Sequence, residues 1–283
     1  MLQLRVFLLG TPQIECEGEE VKLPHHKALA LLAYLALNPG THRRERLATL
    51  LWPDAAPKRA YAYLRNALWQ LNQTPVTEWL VADRESIELR RDDAFWLDVA
   101  HVQDLLAACQ THGHAENEVC AACVPLLTEV VDTCTDGFMA GFTLEDSAEF
   151  DDWQFFQAEN LREALNNALA RLTHWHAEQK AYPQAITYAR RWLALAPLQE
   201  AAHRQLMQLY AWDGQQNLAL RQYQECVKVL EEALGASPSA ETTELYEAIR
   251  ARQIKPRAEA DTTTISVVPG VPEQPAEVPP PVA

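Results

Sequence analysis

The sequence predicts a mainly α chain: a small α+β segment in front, and an all-α, tetratricopeptide-like helical repeat behind it. Three observations carry this expectation. Residues 1–98 hold strand, helix and hairpin patterns in a definite order, a self-similarity of 34 residues recurs further on, and no periodic apolar face follows residue 254.

The first strand pattern is Leu2–Leu9, and a weaker one surrounds Val21–Leu23, with Gly18 between them as a turn signal. His26–Leu37 is a largely apolar helix, stopped by Asn38-Pro39-Gly40. Thr41 is then the candidate N-cap of a helix over Arg43–Leu51, whose apolar positions are Leu47, Leu50 and Leu51. Pro53 ends that helix and Asp54–Pro57 makes the turn. A third helix runs from about Lys58 to Gln73, with Ala60, Leu64, Ala67, Leu68 and Leu71 at helical spacing. In Trp79–Arg90 two alternating runs flank Asp83–Ser86 and read as a hairpin. Strand, three helices, hairpin is the order of a winged helix-turn-helix, expected over residues 1–98.

Residues 99–254 read as helical, with loops near Thr111–Glu118 and Cys134–Asp146. The 34-residue spacing aligns Leu172 with Leu206, Trp175 with Leu209, Ala185 with Ala219, Ile186 with Leu220 and Leu193 with Val227. That is the tetratricopeptide period, in which small residues let paired helices approach and neighbouring units share a core. Residues 255–283 end in VPGVPEQPAEVPPPVA and are expected to form a Pro-rich disordered tail or linker.

The formal net charge of −15 argues against a nucleic-acid binder until it is divided along the chain. Residues 1–98 carry 12 basic and 13 acidic side chains, so nearly all the acidity lies behind them. Within Thr41–Asn66, six basic residues face two acidic ones, a local charge of +4. A basic island at a helix-turn-helix points to DNA. The second helix of such a pair offers its N-terminal half to the major groove, so the core-facing positions drop out and Lys58, Arg59, Ala62, Tyr63, Arg65 and Asn66 remain. Arg suits guanine, Asn suits adenine, and a small Ala admits close approach to a thymine methyl. Thr41, Arg43 and Arg44 are placed for phosphates, Arg84 at the hairpin turn for the minor groove, and Arg90 with Arg91 for the backbone.

At this point the run RRERLATLLWPDAAPKRAYAYLRNALWQLN resembles the OmpR-type winged helix of the Streptomyces antibiotic regulatory protein family. A later run resembles that family's bacterial transcriptional activation domain, through Leu206-Met207, Gly214, Ala219-Leu220, Tyr223, Leu230, Leu234-Gly235 and Pro238. The resemblance implies a sequence-specific activator that binds repeated promoter half-sites on double-stranded DNA, as two copies of the chain, and contacts RNA polymerase. The hairpin ADRESIELRRDDAFWLD departs from the family's glycine-containing wing, and no GxxxxGK[ST] loop supports an ATP-dependent switch. The alternative is an adaptor whose repeat groove binds protein and whose winged helix does not bind DNA.

Cys109, His112, His114, Cys120 and Cys123 fall within fifteen residues, and Cys120-Ala-Ala-Cys123 has the spacing of a metal knuckle. Two readings are open: a structural zinc, or buried thiols at the start of a helix. The sequence favours the second, so no metal and no cofactor are expected. Cys16, Cys134 and Cys226 read as small buried hydrophobes. Glu149 and Asp152 read as helix-start carboxylates, and Trp52, Trp69, Trp79 and Trp96 as core or junction aromatics. No HExxH, GxSxG or phosphate loop is present, which speaks against an enzyme. The longest apolar stretch, Ala28–Leu37, is about ten residues, too short to span a bilayer. The N-terminus lacks the order of a secretory signal, so a cytoplasmic location is expected.

Overall fold

A computed structural model describes residues 2–115 and 118–254. Two small sheets, ten α-helices and one short 3-10 helix (Pro75–Glu78) are found among these residues. The front sheet has the order β3 (Glu19–Glu20), β2 (Gln13–Cys16), β1 (Leu4–Phe7), β7 (Phe95–Leu97). Its first three strands are antiparallel, while β7 runs parallel to β1, pairing Leu4 with Phe95 and Val6 with Leu97. The weak strand expected at Val21–Leu23 is absent. Pairing falls instead on Gln13–Cys16, where Ile14 and Cys16 face inward, and Gly18 turns the chain at φ +81°.

Helix α1 (His26–Leu37) buries a continuous run from Ala30 to Ala36, because sheet, helices and loop enclose it on all sides. Strand β4 (His42–Arg43) leads into α2 (Arg44–Leu51), and α3 (Pro57–Asn72) follows the turn. Thr41 is not the cap of α2: Arg43 holds that position without a side-chain bond, and the Thr41 hydroxyl donates to Glu88 at 2.7 Å. A second sheet, β4-β6-β5, joins β4 to the hairpin of β5 (Leu80–Ala82) and β6 (Ser86–Leu89). In α3 the residues Ala60, Leu64, Ala67, Leu68 and Leu71 are buried, as their spacing requires. Each leucine on that face contributes about 1.5–3 kcal/mol by leaving water.

The first core also takes in Phe138, Met139, Phe142, Leu144 and Phe150, which come much later in the chain. The amide of Met139 donates to the Leu8 carbonyl at 2.7 Å, and Leu9 bridges Phe138 just past the end of β1. Behind β7 come α4 (Asp98–Gln110), α5 (Cys123–Thr133) and the 31-residue α6 (Ala148–Glu178). At 1.5 Å per residue α6 is about 46 Å long. Its first turns lie in the front core, where Trp153 meets the rings of Tyr34, Phe138 and Phe150. Its later turns bury Ala168, Leu169 and Leu172 in a second core with α4 and α5. Lys27 ties the same joint from α1, donating to the Leu51 carbonyl and to Ser147 and pairing with Asp146 at 2.7 Å.

The helices α7 (Tyr182–Leu195), α8 (Glu200–Trp212), α9 (Gln216–Leu234) and α10 (Ala240–Arg250) complete the repeat. Ala185 and Ala219, aligned by the 34-residue period, are both fully buried where paired helices cross. The turns match as well. Lys180 and Gly214, also 34 apart, both take the left-handed conformation, at φ +58° and +76°. In each turn the next amide closes back onto the helix, Ala181 to His176 at 2.9 Å and Gln215 to Tyr210 at 2.7 Å. No helix among the described residues is long and apolar enough to cross a membrane. The expected Pro-rich tail lies outside the described residues.

Candidate nucleic-acid interface

One face of α3 is spent on the core, which settles what the other face offers. At about 100° per residue, Lys58, Ala62, Arg65 and Trp69 line up opposite the buried stripe. Lys58, Arg59, Arg65 and Asn66 are exposed, and Ala62 is half-buried between them. No ion pair among the described residues uses Lys58, Arg59 or Arg65. The first turn of α3 carries no acidic side chain and opens on Pro57, so the positive end of the helix dipole lies beside Lys58 and Arg59 uncompensated. Tyr63 sits to one side, 47 % exposed, with its ring 6.1 Å from that of Trp52.

The flanking candidates are more constrained. Arg43 is exposed at the start of α2. Arg44 braces the wing: its Nε donates to the Asp83 carbonyl at 2.8 Å and its amide to the Glu85 carbonyl at 2.9 Å. The wing tip itself is folded by Asp83, whose carboxylate accepts from the amides of Glu85 and Ser86, both at 2.7 Å, and from the Ser86 hydroxyl. Those bonds hold the Asp83 carboxyl below its ordinary value. Arg84 stands exposed at this tip, between two acidic neighbours. Arg90 donates to the Glu78 carbonyl at 2.8 Å and pairs with Asp92 at 3.5 Å, while Arg91 donates to the Ala36 carbonyl at the end of α1. Both therefore secure the base of the wing.

Trp69 is not a core aromatic. It is 60 % exposed, and Tyr61 on the same helix is 39 % exposed. The spacing Lys58, Ala62, Arg65, Trp69 was a signal readable in the sequence, but residue type pulled the tryptophan inward. Trp79 is buried, as expected, and its indole N–H donates to Asp92 at 3.0 Å. Of the Cys/His candidates, His112, His114, Cys120 and Cys123 converge, away from α3, while Cys109, in the same core as Cys123, is not part of that group.

These elements make a basic helix-turn-helix joined through α6 to a helical repeat, an architecture of transcriptional regulators. The bacterial transcriptional activator domain family matches residues 97–250, just over half of the chain, and the chain belongs to that family. Taken with the helix-turn-helix in front of it, the match makes the chain similar to regulators of the Streptomyces antibiotic regulatory type. The regulatory protein AfsR of Streptomyces coelicolor is 25% identical over 251 residues, which cover 87% of this chain and 24% of AfsR. The chain thus spans about a quarter of the length of that relative. Among solved structures, Mycobacterium tuberculosis EmbR in complex with a low-affinity phosphopeptide is similar with a TM-score of 0.67 at 20% identity. That likeness covers 91% of this chain and 67% of EmbR, and it speaks to the fold.

Proposed function

We propose that the chain is a sequence-specific DNA-binding activator whose α3 enters the major groove of repeated promoter half-sites. The observation that carries this reading is the exposed face of Lys58, Arg59 and Arg65 on a 16-residue helix, in no ion pair among the described residues, beside Ala62 and Asn66. Arg59, Arg65 and Asn66 supply the donors that read guanine and adenine edges, and Lys58 with Arg43 meets phosphates. Thr41 and Arg44 set the approach of α2 and the wing, and Arg84 reaches the minor groove from the wing tip. Arg90 acts at one remove, by holding the wing base.

Trp69 lies about 16 Å along α3 from Lys58, towards the edge of the groove, where an exposed ring packs against sugar and backbone. Two copies on successive half-sites would be set about 34 Å apart, one helical turn. In this reading the helical repeat, which carries most of the chain's acidic residues, is the part that contacts RNA polymerase.

The test is binding of the full chain to DNA selected from a random pool, read by fluorescence anisotropy across a salt series. Arg59→Ala with Arg65→Ala should weaken the selected site by about 1–3 kcal/mol for each arginine that reads a base. Each lost phosphate contact should lower the slope of log K against log salt by about 0.9. Unchanged affinity and slope in the double variant, with its circular dichroism intact, would show that α3 is not the reading helix.

A further inference from the structure

We propose a structural zinc site, built by His112, His114, Cys120 and Cys123, that staples the connection between α4 and α5. The four ligand atoms lie within 4.8 Å of one another. The Cys123 sulfur is 3.0 Å from His112 Nδ1 and 3.0 Å from His114 Nε2. The Cys120 sulfur is 3.4 Å from His112 Nδ1 and 3.6 Å from the Cys123 sulfur. A zinc tetrahedron with the usual bond lengths has S–S edges of about 3.8 Å and N–S edges of about 3.6 Å. The four separations fall short of those edges by about 0.2–0.6 Å, a gap that small side-chain rotations close around an ion at the centre.

A second observation concerns the tautomer of His114. Its Nδ1 lies 2.9 Å from the carbonyl of Ala115, so the ring proton is drawn to that side. The lone pair is then left on Nε2, aimed at the cluster. This is the outer hydrogen bond that orients a zinc-bound histidine. The backbone amides of Ala122 and Cys123 face the Cys120 sulfur, as they do in a Cys-x-x-Cys knuckle. Zinc would displace one proton from each thiol to solvent. Two thiolates and two neutral imidazoles then balance its charge, so the site as a whole is neutral although its Cys123 ligand is fully buried.

The location gives the site its purpose. Cys123 opens α5, and Cys109, at the end of α4, offers its carbonyl to the Cys123 sulfur. Glu118 and Val119, just before the knuckle, form one wall of a cleft of about 1120 Å³, faced across by Arg171, His174 and Trp175 of α6. Arg171 donates to the Glu118 carbonyl at 3.0 Å, so the stapled loop is tied to α6. Loss of the metal would free that wall while leaving α6 to α10 in place.

The experiment measures metal in the full chain, purified under reducing conditions from zinc-supplemented cells. About one zinc per chain is expected, falling below about a tenth in Cys120→Ser and in His114→Gln and unchanged in Cys16→Ser. Cobalt added to chain stripped of metal should give the ligand-field bands of a tetrahedral ion and a thiolate charge-transfer band. This reading needs no variant to fold. A wild-type chain without zinc whose cobalt spectrum is octahedral overturns the proposal. So does zinc retained in full by both ligand variants, or a Cys120–Cys123 disulfide in the reduced preparation.

Discussion

Replacing Asp98 tests the joint between the front sheet and the helical repeat. Asp98 begins α4, is 2 % exposed, and receives three backbone amides. Leu8 and Leu9 donate to Oδ2 and Val99 to Oδ1, all at 2.7 Å. Asp98→Ala strands the Leu8 amide inside the core and the Leu9 amide at its edge, and each orphaned donor costs about 1–3 kcal/mol. Burial raises the Asp98 carboxyl above its ordinary value even though the amides pull it down, so removing the charge returns part of that cost. The expected net loss is about 2–4 kcal/mol by urea unfolding.

Asp98→Asn keeps an acceptor for Leu8 and Leu9 but turns its amide group towards the Val99 N–H, and should lose about 1–2 kcal/mol. The pH dependence follows from the raised folded value. The stabilisation linked to this proton is complete below the unfolded value and is lost as pH rises through the folded one. The gap between wild type and Asp98→Asn should therefore be widest in acid and narrow towards neutrality. An alanine loss under about 0.5 kcal/mol would refute the capping role, and a gap that widens with pH would show that the amide bonds to the carboxylate outweigh its burial.

Three further outcomes are expected. Lys180→Gly should stabilise the chain by about 0.5–1 kcal/mol, because the left-handed conformation strains a lysine, whereas Gly214→Ala should cost about 1 kcal/mol; thermal unfolding of both separates the twin turns. Asp83→Ala should speed amide exchange at Glu85 and Ser86. Because the Asp83 carboxyl is held below 3.8, its contribution is present above that pH and fades as pH falls through the lowered value, so variant and wild type converge in acid. Cys134 and Cys226, both pushed up to about 11 by burial, should resist alkylation at pH 8 in the native chain and react in urea, as read by mass spectrometry.

Local patterns were enough for the helices and for the wing hairpin, because 3.6-residue and two-residue periods report directly which faces are buried. His26–Leu37 and the inner face of α3 follow from apolar spacing alone, and so does the basic outer face of α3. The 34-residue period likewise placed Ala185 and Ala219 at equivalent helix crossings. Lys180 concealed its equivalence to Gly214, since a lysine gives no sign of a left-handed turn. Trp69 was misjudged for a similar reason: residue type suggested burial, and only the packing of its helix decided against it.

What lay beyond the sequence depends on contacts between distant residues. No local period links Leu4 to Phe95, and none links Leu8 to Asp98 or Met139. The front core is thus completed by residues 138–150, and the first turns of α6 belong to it. Spacing could name five possible metal ligands, but it could not choose among them. Folding of the loop between α4 and α5 brings His112, His114, Cys120 and Cys123 within 4.8 Å and leaves Cys109 outside. The sequence by itself determined which faces seek a core and which carry charge. The tertiary structure decided which faces meet, because hydrophobic burial is non-directional, whereas hydrogen bonds and ligand geometry are satisfied only at fixed distances.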